Sequence, residues 1–256
     1  MSETETTLRL TAEERQNTLL RLKALDRIGP YSLLNPRRET VRDSYLDTPG
    51  RRLRSARFAL RIRKLHEETR ITLKGPATRN PDGSRTRLEI ELPWTAESTA
   101  RVFRELASRG LTLKGDWNHT ELPSRDDLMA GARLEPFQSR IMVRETRDVV
   151  AEGTGSASFA EMVIDQVAYS PDGHECRHAE MELELRPGAD PALLGPVAQL
   201  FLATFEDRLV LWLHGKLSIG LALGKLMENG PAPELLDRHN WLTEEAYRRI
   251  RVTLKG

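Results

Sequence analysis

Arg61 and Arg63 stand two residues apart, as do Thr72 and Lys74, and each pair is interleaved with aliphatic residues, Leu60 and Ile62 or Ile71 and Leu73. The acids follow the same rule: Arg87, Glu89 and Glu91 form one alternating run, and Glu180, Glu182 and Glu184 another, while Asp165 interrupts the otherwise apolar MVIDQV. A period of two puts such residues on one face of a β-strand. Cations fixed on a rigid sheet, with carboxylates in matching runs, suit a polyanion and its metal. Arginine grips phosphate through two parallel hydrogen bonds and lysine offers a compact point charge. Carboxylates prefer hard ions, here Mg²⁺ or Mn²⁺.

A strand with one aliphatic and one charged face normally turns the charge to water. When six or more strands carry mixed charge on one face, a second arrangement competes. The sheet closes, helices cover its aliphatic outside, and the charges line a tunnel in which opposite signs pair.

The elements that would position these residues can be read in order. Glu3–Leu10 alternates as a strand, and Thr11 with Glu14 forms a capping-box pattern ahead of a helix over Ala12–Arg27. Strands are expected at Glu39–Asp47, Phe58–Leu65, Glu68–Lys74 and Arg85–Leu92, the middle two as a hairpin, with a turn or short helix at Leu53–Ala56. Asn80-Pro81-Asp82-Gly83 is turn chemistry. Thr95 opens a helix to Arg109, Asp126–Ala130 reads as a brief helix, and strands follow at Arg140–Val150, Glu161–Tyr169 and Arg177–Leu185. A helix spans Pro191–Glu206, then an apolar segment lies around Leu209–Leu213. The pattern predicts an α+β fold with six to eight mostly antiparallel strands and three or four helices.

The chain has 256 residues, 30% of them charged, with a formal net charge of +1. That balance excludes the basic surface of a general nucleic-acid binder. One cysteine, Cys176, excludes an internal disulfide and fits a reducing compartment. The first residues lack a secretory leader's basic start and apolar core, and no apolar run approaches the roughly 18 residues that span a membrane. The expectation is a cytoplasmic protein without nucleic-acid or membrane partners. Its oligomeric state is left open, with a homodimer among the options.

The motifs YLDTPGRRLRSARFALRIR (45–63), ITLKG (71–75), RLEIE (87–91), VRETR (143–147), VIDQV (163–167), AEMELEL (179–185) and HGKLSIGLAL (214–223) occur in one order. On these the chain resembles the CYTH superfamily, the triphosphate tunnel metalloenzymes, and among them the bacterial inorganic triphosphatases. The resemblance implies an eight-stranded antiparallel β-barrel, a tunnel with helices packed outside, over residues 1–226, while the residues of 227–256 themselves read as a short helical appendage. It implies triphosphate contacts from Arg61, Arg63, Lys74, Arg87, Arg144 and Lys216, and metal binding by Glu3, Glu5, Asp165, Glu180 and Glu182. Glu3, Glu5, Lys74 and Glu182 would be catalytic, and Glu89, Glu91 and Glu184 supporting carboxylates. Arg144 and Arg147 are both candidates, although a regular strand cannot point residues three apart the same way.

The family's first strand carries E-x-E-x-K, and here Thr7 stands at the lysine position. Arg9, one step deeper on the same face, is the expected replacement cation. The leading expectation is metal-dependent hydrolysis of a triphosphate, inorganic triphosphate first, to pyrophosphate and phosphate. The alternatives are a class IV-type adenylate cyclase, a thiamine or nucleoside triphosphatase, or a non-catalytic polyphosphate- or nucleotide-binding module. His174, Cys176 and His178 read as a solvated hairpin tip, Gly153-Thr154-Gly155 as a flexible connection, and Arg51, Arg52, Arg54 and Arg57 as solvated surface.

Overall fold

The computed structural model describes residues 2–115, 124–153, 157–228 and 230–255. Thr154 and Gly155 of the expected flexible connection lie outside them. In chain order the elements are β1 (Ser2–Leu10), α1 (Arg15–Ala24), β2 (Arg27–Ile28), β3 (Tyr31–Asp47), α2 (Arg52–Ser55), β4 (Ala59–Leu65) and β5 (Glu68–Arg79). There follow β6 (Arg85–Pro93), α3 (Ala96–Ser108), α4 (Arg125–Ala132), β7 (Glu135–Ala151), β8 (Ala160–Tyr169) and β9 (Cys176–Leu185). The chain ends with α5 (Leu194–Phe205), β10 (Leu209–Leu211), α6 (Lys216–Leu226) and α7 (Glu244–Thr253).

Hydrogen-bonded neighbours run β10-β1-β6-β5-β4-β3-β7-β8-β9, with β2 paired to β3. Because β9 also pairs with β1, eight strands follow one another in a closed circuit of pairings. This is the connectivity of an eight-stranded antiparallel barrel, and the fold class is α+β as the alternation predicts. The described residues hold ten strands and seven helices, more than the six to eight and three or four read from the sequence. The added strands are the short β2 and β10; the added helices are the one-turn α2, the tail helix α7 and α6, whose LSIGLAL reads as apolar without a helical stripe.

Two compact units divide the chain: Val41–Thr78 with Arg87–Ser139, and Glu3–Thr40 with Arg79–Thr86 and Arg140–Gly256. In the first, Leu60 and Ile62 of β4 and Ile71 and Leu73 of β5 pack with Val102 and Phe103 of α3. Helix α3 starts where Thr95 accepts a hydrogen bond from the Ser98 N–H, the cap its sequence predicts. Asp47 is buried because its carboxylate accepts from the Thr48, Leu53 and Arg54 amides, which folds DTPG into α2.

In the second unit, Leu8 and Leu10 of β1 and Met181 and Leu183 of β9 pack with Val197 and Phe201 of α5. The predicted capping box at Thr11 is not formed. Residue Glu14 is the N-cap, in a left-handed conformation and without a side-chain bond. The Thr11 amide instead donates to the Arg208 carbonyl, and the Ala12 amide to Glu244 of α7, so tertiary partners have taken the donors a cap would satisfy. The last residues belong to this unit's core: Tyr247 and Ile250 are fully buried, and Trp241 bridges Arg177 of β9. No helix among the described residues is long and apolar enough to cross a membrane.

Candidate functional site

In the second unit the strand registers decide which charges meet. Glu5 lies opposite Glu184, Thr7 opposite Glu182 and Arg9 opposite Glu180 across the β1–β9 pair. Asp165 lies opposite both Glu180 on β9 and Arg144 on β7. Directly opposed residues of an antiparallel pair share a face, so β1, β7, β8 and β9 place five carboxylates and two guanidiniums, Arg9 and Arg144, on it.

Two triads result. Carboxylate oxygens of Asp165, Glu180 and Glu182 lie within 4.8 Å of one another, as do those of Glu3, Glu5 and Glu184. The Lys216 ammonium, at the start of α6, sits among the first three: 3.0 Å from Asp165 Oδ2, 2.6 Å from Glu182 Oε2 and paired with Glu180. Arg144 adds a two-pronged contact to Asp165 at 2.9 and 2.7 Å. Asp165 and Glu180 are fully buried and Lys216 is 6% exposed, so these charges pair with each other rather than with water. Burial pushes the Glu180 carboxyl up, but Lys216 and His178 outweigh it and hold it at about 2. Burial would likewise lower the Lys216 ammonium, and the surrounding carboxylates raise it instead.

In the second triad one acid is held protonated more readily than usual. Burial pushes the Glu184 carboxyl up to about 8; Arg144 opposes this, while Glu182, Glu3 and Glu5 reinforce it. Among the described residues Arg85 of β6 approaches this group, with Nη2 2.7 Å from Glu5 Oε1. Three clustered carboxylates, Glu5 buried and Glu3 and Glu184 half-buried, fit a hard divalent cation; the Lys216-filled triad fits one less well.

Arg9 is not available as the replacement cation. Its guanidinium grips Glu244 of α7 at 2.7 and 2.8 Å and lies over the Tyr247 ring at 4.1 Å. Arg147 donates to the Lys23 carbonyl at 2.5 Å, on the α1 side, whereas Arg144 meets Asp165. Their regular pairing with β8 contains no bulge, so opposite parity sends them to opposite faces.

The solvated-tip reading of Cys176 and His178 is overturned. Both are fully buried, and His178 bridges Glu180 (Nε2, 2.7 Å) and the Tyr247 hydroxyl (Nδ1, 2.8 Å). Burial lowers the imidazole, so the neutral ring donates from Nε2 to the Glu180 carboxylate and accepts at Nδ1 from Tyr247.

The first unit holds a second cluster. Arg61 and Arg63 both bind the buried Asp43, Arg63 at 2.8 and 3.2 Å and Arg61 at 3.3 Å. Glu91 accepts from Arg61 at 2.8 Å and Thr72 at 2.9 Å, and Lys74 pairs with Glu89 at 3.0 Å. Burial pushes the Glu91 carboxyl up, but Arg61, Arg63, Thr72 and Lys74 hold it at about 2. Arg87 is half-buried on the same strand face as Glu89 and Glu91. Sequence reasoning missed Asp43, Arg85, His178 and Tyr247. Of these Asp43 was readable, since it alternates with Tyr45 and Asp47 on β3 and its partner in register is Arg63.

The CYTH domain family model matches residues 1–205. The chain belongs to the CYTH domain family. Solved structures similar to this CYTH chain include HpAC1 from Hippeastrum, an adenylyl cyclase candidate described as having a dominant triphosphatase activity. It is 17% identical, with a TM-score of 0.59 over 90% of this chain and 98% of that one. A candidate adenylate cyclase from Bacillus halodurans is 19% identical (TM-score 0.46, 84% and 96% covered). PH1819 from Pyrococcus horikoshii is 20% identical (TM-score 0.45, 86% and 99% covered). No curated protein matches the sequence. These likenesses concern the fold. The match ends before β10, α6 and α7, so Lys216, Glu244 and Tyr247 lie beyond it.

Proposed function

We propose that this CYTH chain is a metal-dependent phosphoanhydride hydrolase that cleaves a linear triphosphate, inorganic triphosphate first, to pyrophosphate and phosphate. The observation that carries the reading is the Glu3, Glu5 and Glu184 triad, an all-oxygen set with Glu5 buried and the Glu184 carboxyl raised, in the same unit as the Lys216-centred triad. Family membership and the triphosphatase activity described for HpAC1 point the same way.

Glu3, Glu5 and Glu184 would hold the divalent cation, Mg²⁺ or Mn²⁺. When bound, it supplies charge neutralisation at phosphoryl oxygens. Within the second unit, Arg144 and Lys216 would bind and orient phosphate beside their carboxylate partners. Phosphoryl transfer needs little covalent help from protein, so fixing the chain in line and stabilising its charge carry most of the rate. Glu182 is the candidate for the water's proton. Its carboxyl is raised by burial, with Lys216 opposing and Glu5, Glu180 and Asp165 reinforcing, which makes it a better base than an ordinary glutamate.

The test is release of phosphate from triphosphate, ATP, thiamine triphosphate and longer polyphosphate with Mg²⁺ or Mn²⁺, with cyclic AMP followed in parallel. Preferred cleavage of triphosphate is expected. Silence on every substrate, or cyclic AMP as the main product, refutes the proposal.

A further inference from the structure

Thr7 leaves β1 without a cation between its acids and Arg9, yet the space beside it is not without charge. Arg85 reaches in from β6. Its Nη2 lies 2.7 Å from Glu5 Oε1, donates to Thr7 Oγ1 at 3.3 Å and stands 3.9 Å from Glu182 Oε1. Thr7 Oγ1 in turn donates to Glu182 at 3.4 Å. One guanidinium therefore joins the acid of one triad to the acid of the other across the Thr7 side chain.

The neighbouring cations are each gripped more fully by carboxylates. Lys216 is enclosed by three carboxylates, Arg144 is committed two-pronged to Asp165, and Arg9 is committed to Glu244. Arg85 makes its close contacts through Nη2, and its buried Nε has no partner. Its path is also built for it. A Cβ on Gly215, the residue capping α6, would stand 3.0 Å from Nη1 and 3.4 Å from Nη2. Glycine there lets the guanidinium pass against the backbone, and a longer side chain at position 7 would claim the same space.

We infer that Arg85 binds a phosphoryl group of the substrate, supplying from β6 the cation that β1 lacks at Thr7. The inference rests on the triphosphate reading above. A guanidinium whose close contacts run through Nη2 and whose Nε has no partner has donors left over for phosphate oxygens.

The test uses the full chain freed of metal with EDTA, titrated calorimetrically with inorganic tripolyphosphate, so that turnover plays no part. Arg85→Gln should weaken binding about 10-fold or more, the scale of one charge-assisted contact. Thr7→Lys combined with Arg85→Gln should restore it to within about 3-fold, whereas Thr7→Lys alone should not improve on the parent. Thermal melts of the four proteins give a reading independent of ligand. Lysine at position 7 should lower Tm beside Arg85 and raise it in the Arg85→Gln background, by like-charge and opposite-charge contact respectively. Unaltered binding by Arg85→Gln overturns the inference while leaving the triphosphatase reading intact. A double variant no better than Arg85→Gln, or melts without the reversal of sign, also overturns it. If the parent itself does not bind tripolyphosphate, both fall together.

Discussion

Lys216→Met removes the one ammonium at the centre of Asp165, Glu180 and Glu182 while preserving the length of the side chain. Breaking a buried ion pair by deleting one partner costs about 3–5 kcal/mol, because the remaining charge stays buried. Arg144 still compensates Asp165, so Glu180 and Glu182 bear most of the loss. For a chain of this size about 1 kcal/mol moves Tm by about 2–4 °C, which gives a drop on the order of 6–20 °C at neutral pH. The pH dependence identifies the cause. In the parent, Glu180 is held at about 2, below its ordinary 4.5. A depressed acid contributes stability that is present above its unfolded pKa and lost as pH falls through its folded one. Without Lys216, burial wins and the same acid is raised, so its penalty grows above about pH 4.5 and disappears in acid. Melts from pH 4 to 8 should therefore show the gap between parent and variant wide at pH 7 and narrow at pH 4. A gap equal at both ends would refute the electrostatic account and leave lost packing as the cause.

Glu184→Gln replaces the carboxyl that burial and neighbouring acids raise to about 8. A raised acid contributes stability present below its unfolded pKa and lost as pH climbs through the folded one. Metal-free parent should thus lose Tm between about pH 4.5 and 8 more steeply than the variant. Mn²⁺ should raise Tm in the parent at pH 8 and much less in Glu184→Gln; equal responses would remove Glu184 from the metal set. Asp43→Asn leaves Arg61 and Arg63 without their shared counter-charge and should cost about 3 kcal/mol in denaturant unfolding. A loss under about 1 kcal/mol would show that Glu91 suffices. Tyr247→Phe deletes the donor to His178 Nδ1 and should cost about 1–2 kcal/mol. It should also lower kcat for triphosphate more than it raises KM, since His178 positions Glu180; stability loss with unchanged kinetics would confine the tail to a structural role.

The alternation that announced the strands also announced the charged runs, because both depend on the same local period of two. Arg61, Lys74, Glu180 and Glu182 could be placed on strand faces from nearest neighbours alone, and the structure finds each in an ion pair. The Arg144 and Arg147 conflict was settled by the same arithmetic. Partnership is different. Lys216 stands more than thirty residues from Glu182 and belongs to a helix with no polar stripe, so nothing local says that its ammonium enters an acid triad. Arg85 and Thr7 are 78 residues apart, and only the pairing of β6 with β1 makes them neighbours.

The misreading of His178 has the same origin. A histidine after a Ser-Pro-Asp-Gly turn is solvated unless something covers it, and the cover here is α7, about seventy residues later. Tyr247 has the spacing of any buried residue on an amphipathic helix, and its hydroxyl gains meaning only when a buried imidazole waits for it. Arg9 was diverted by the same helix: Glu244 in its first turn takes the guanidinium that the register on β1 had aimed toward Glu180. Once Arg9 is claimed, a cation for the Thr7 position has to come from another strand. Arg85, passing over a glycine that leaves it room, is the residue that reaches there.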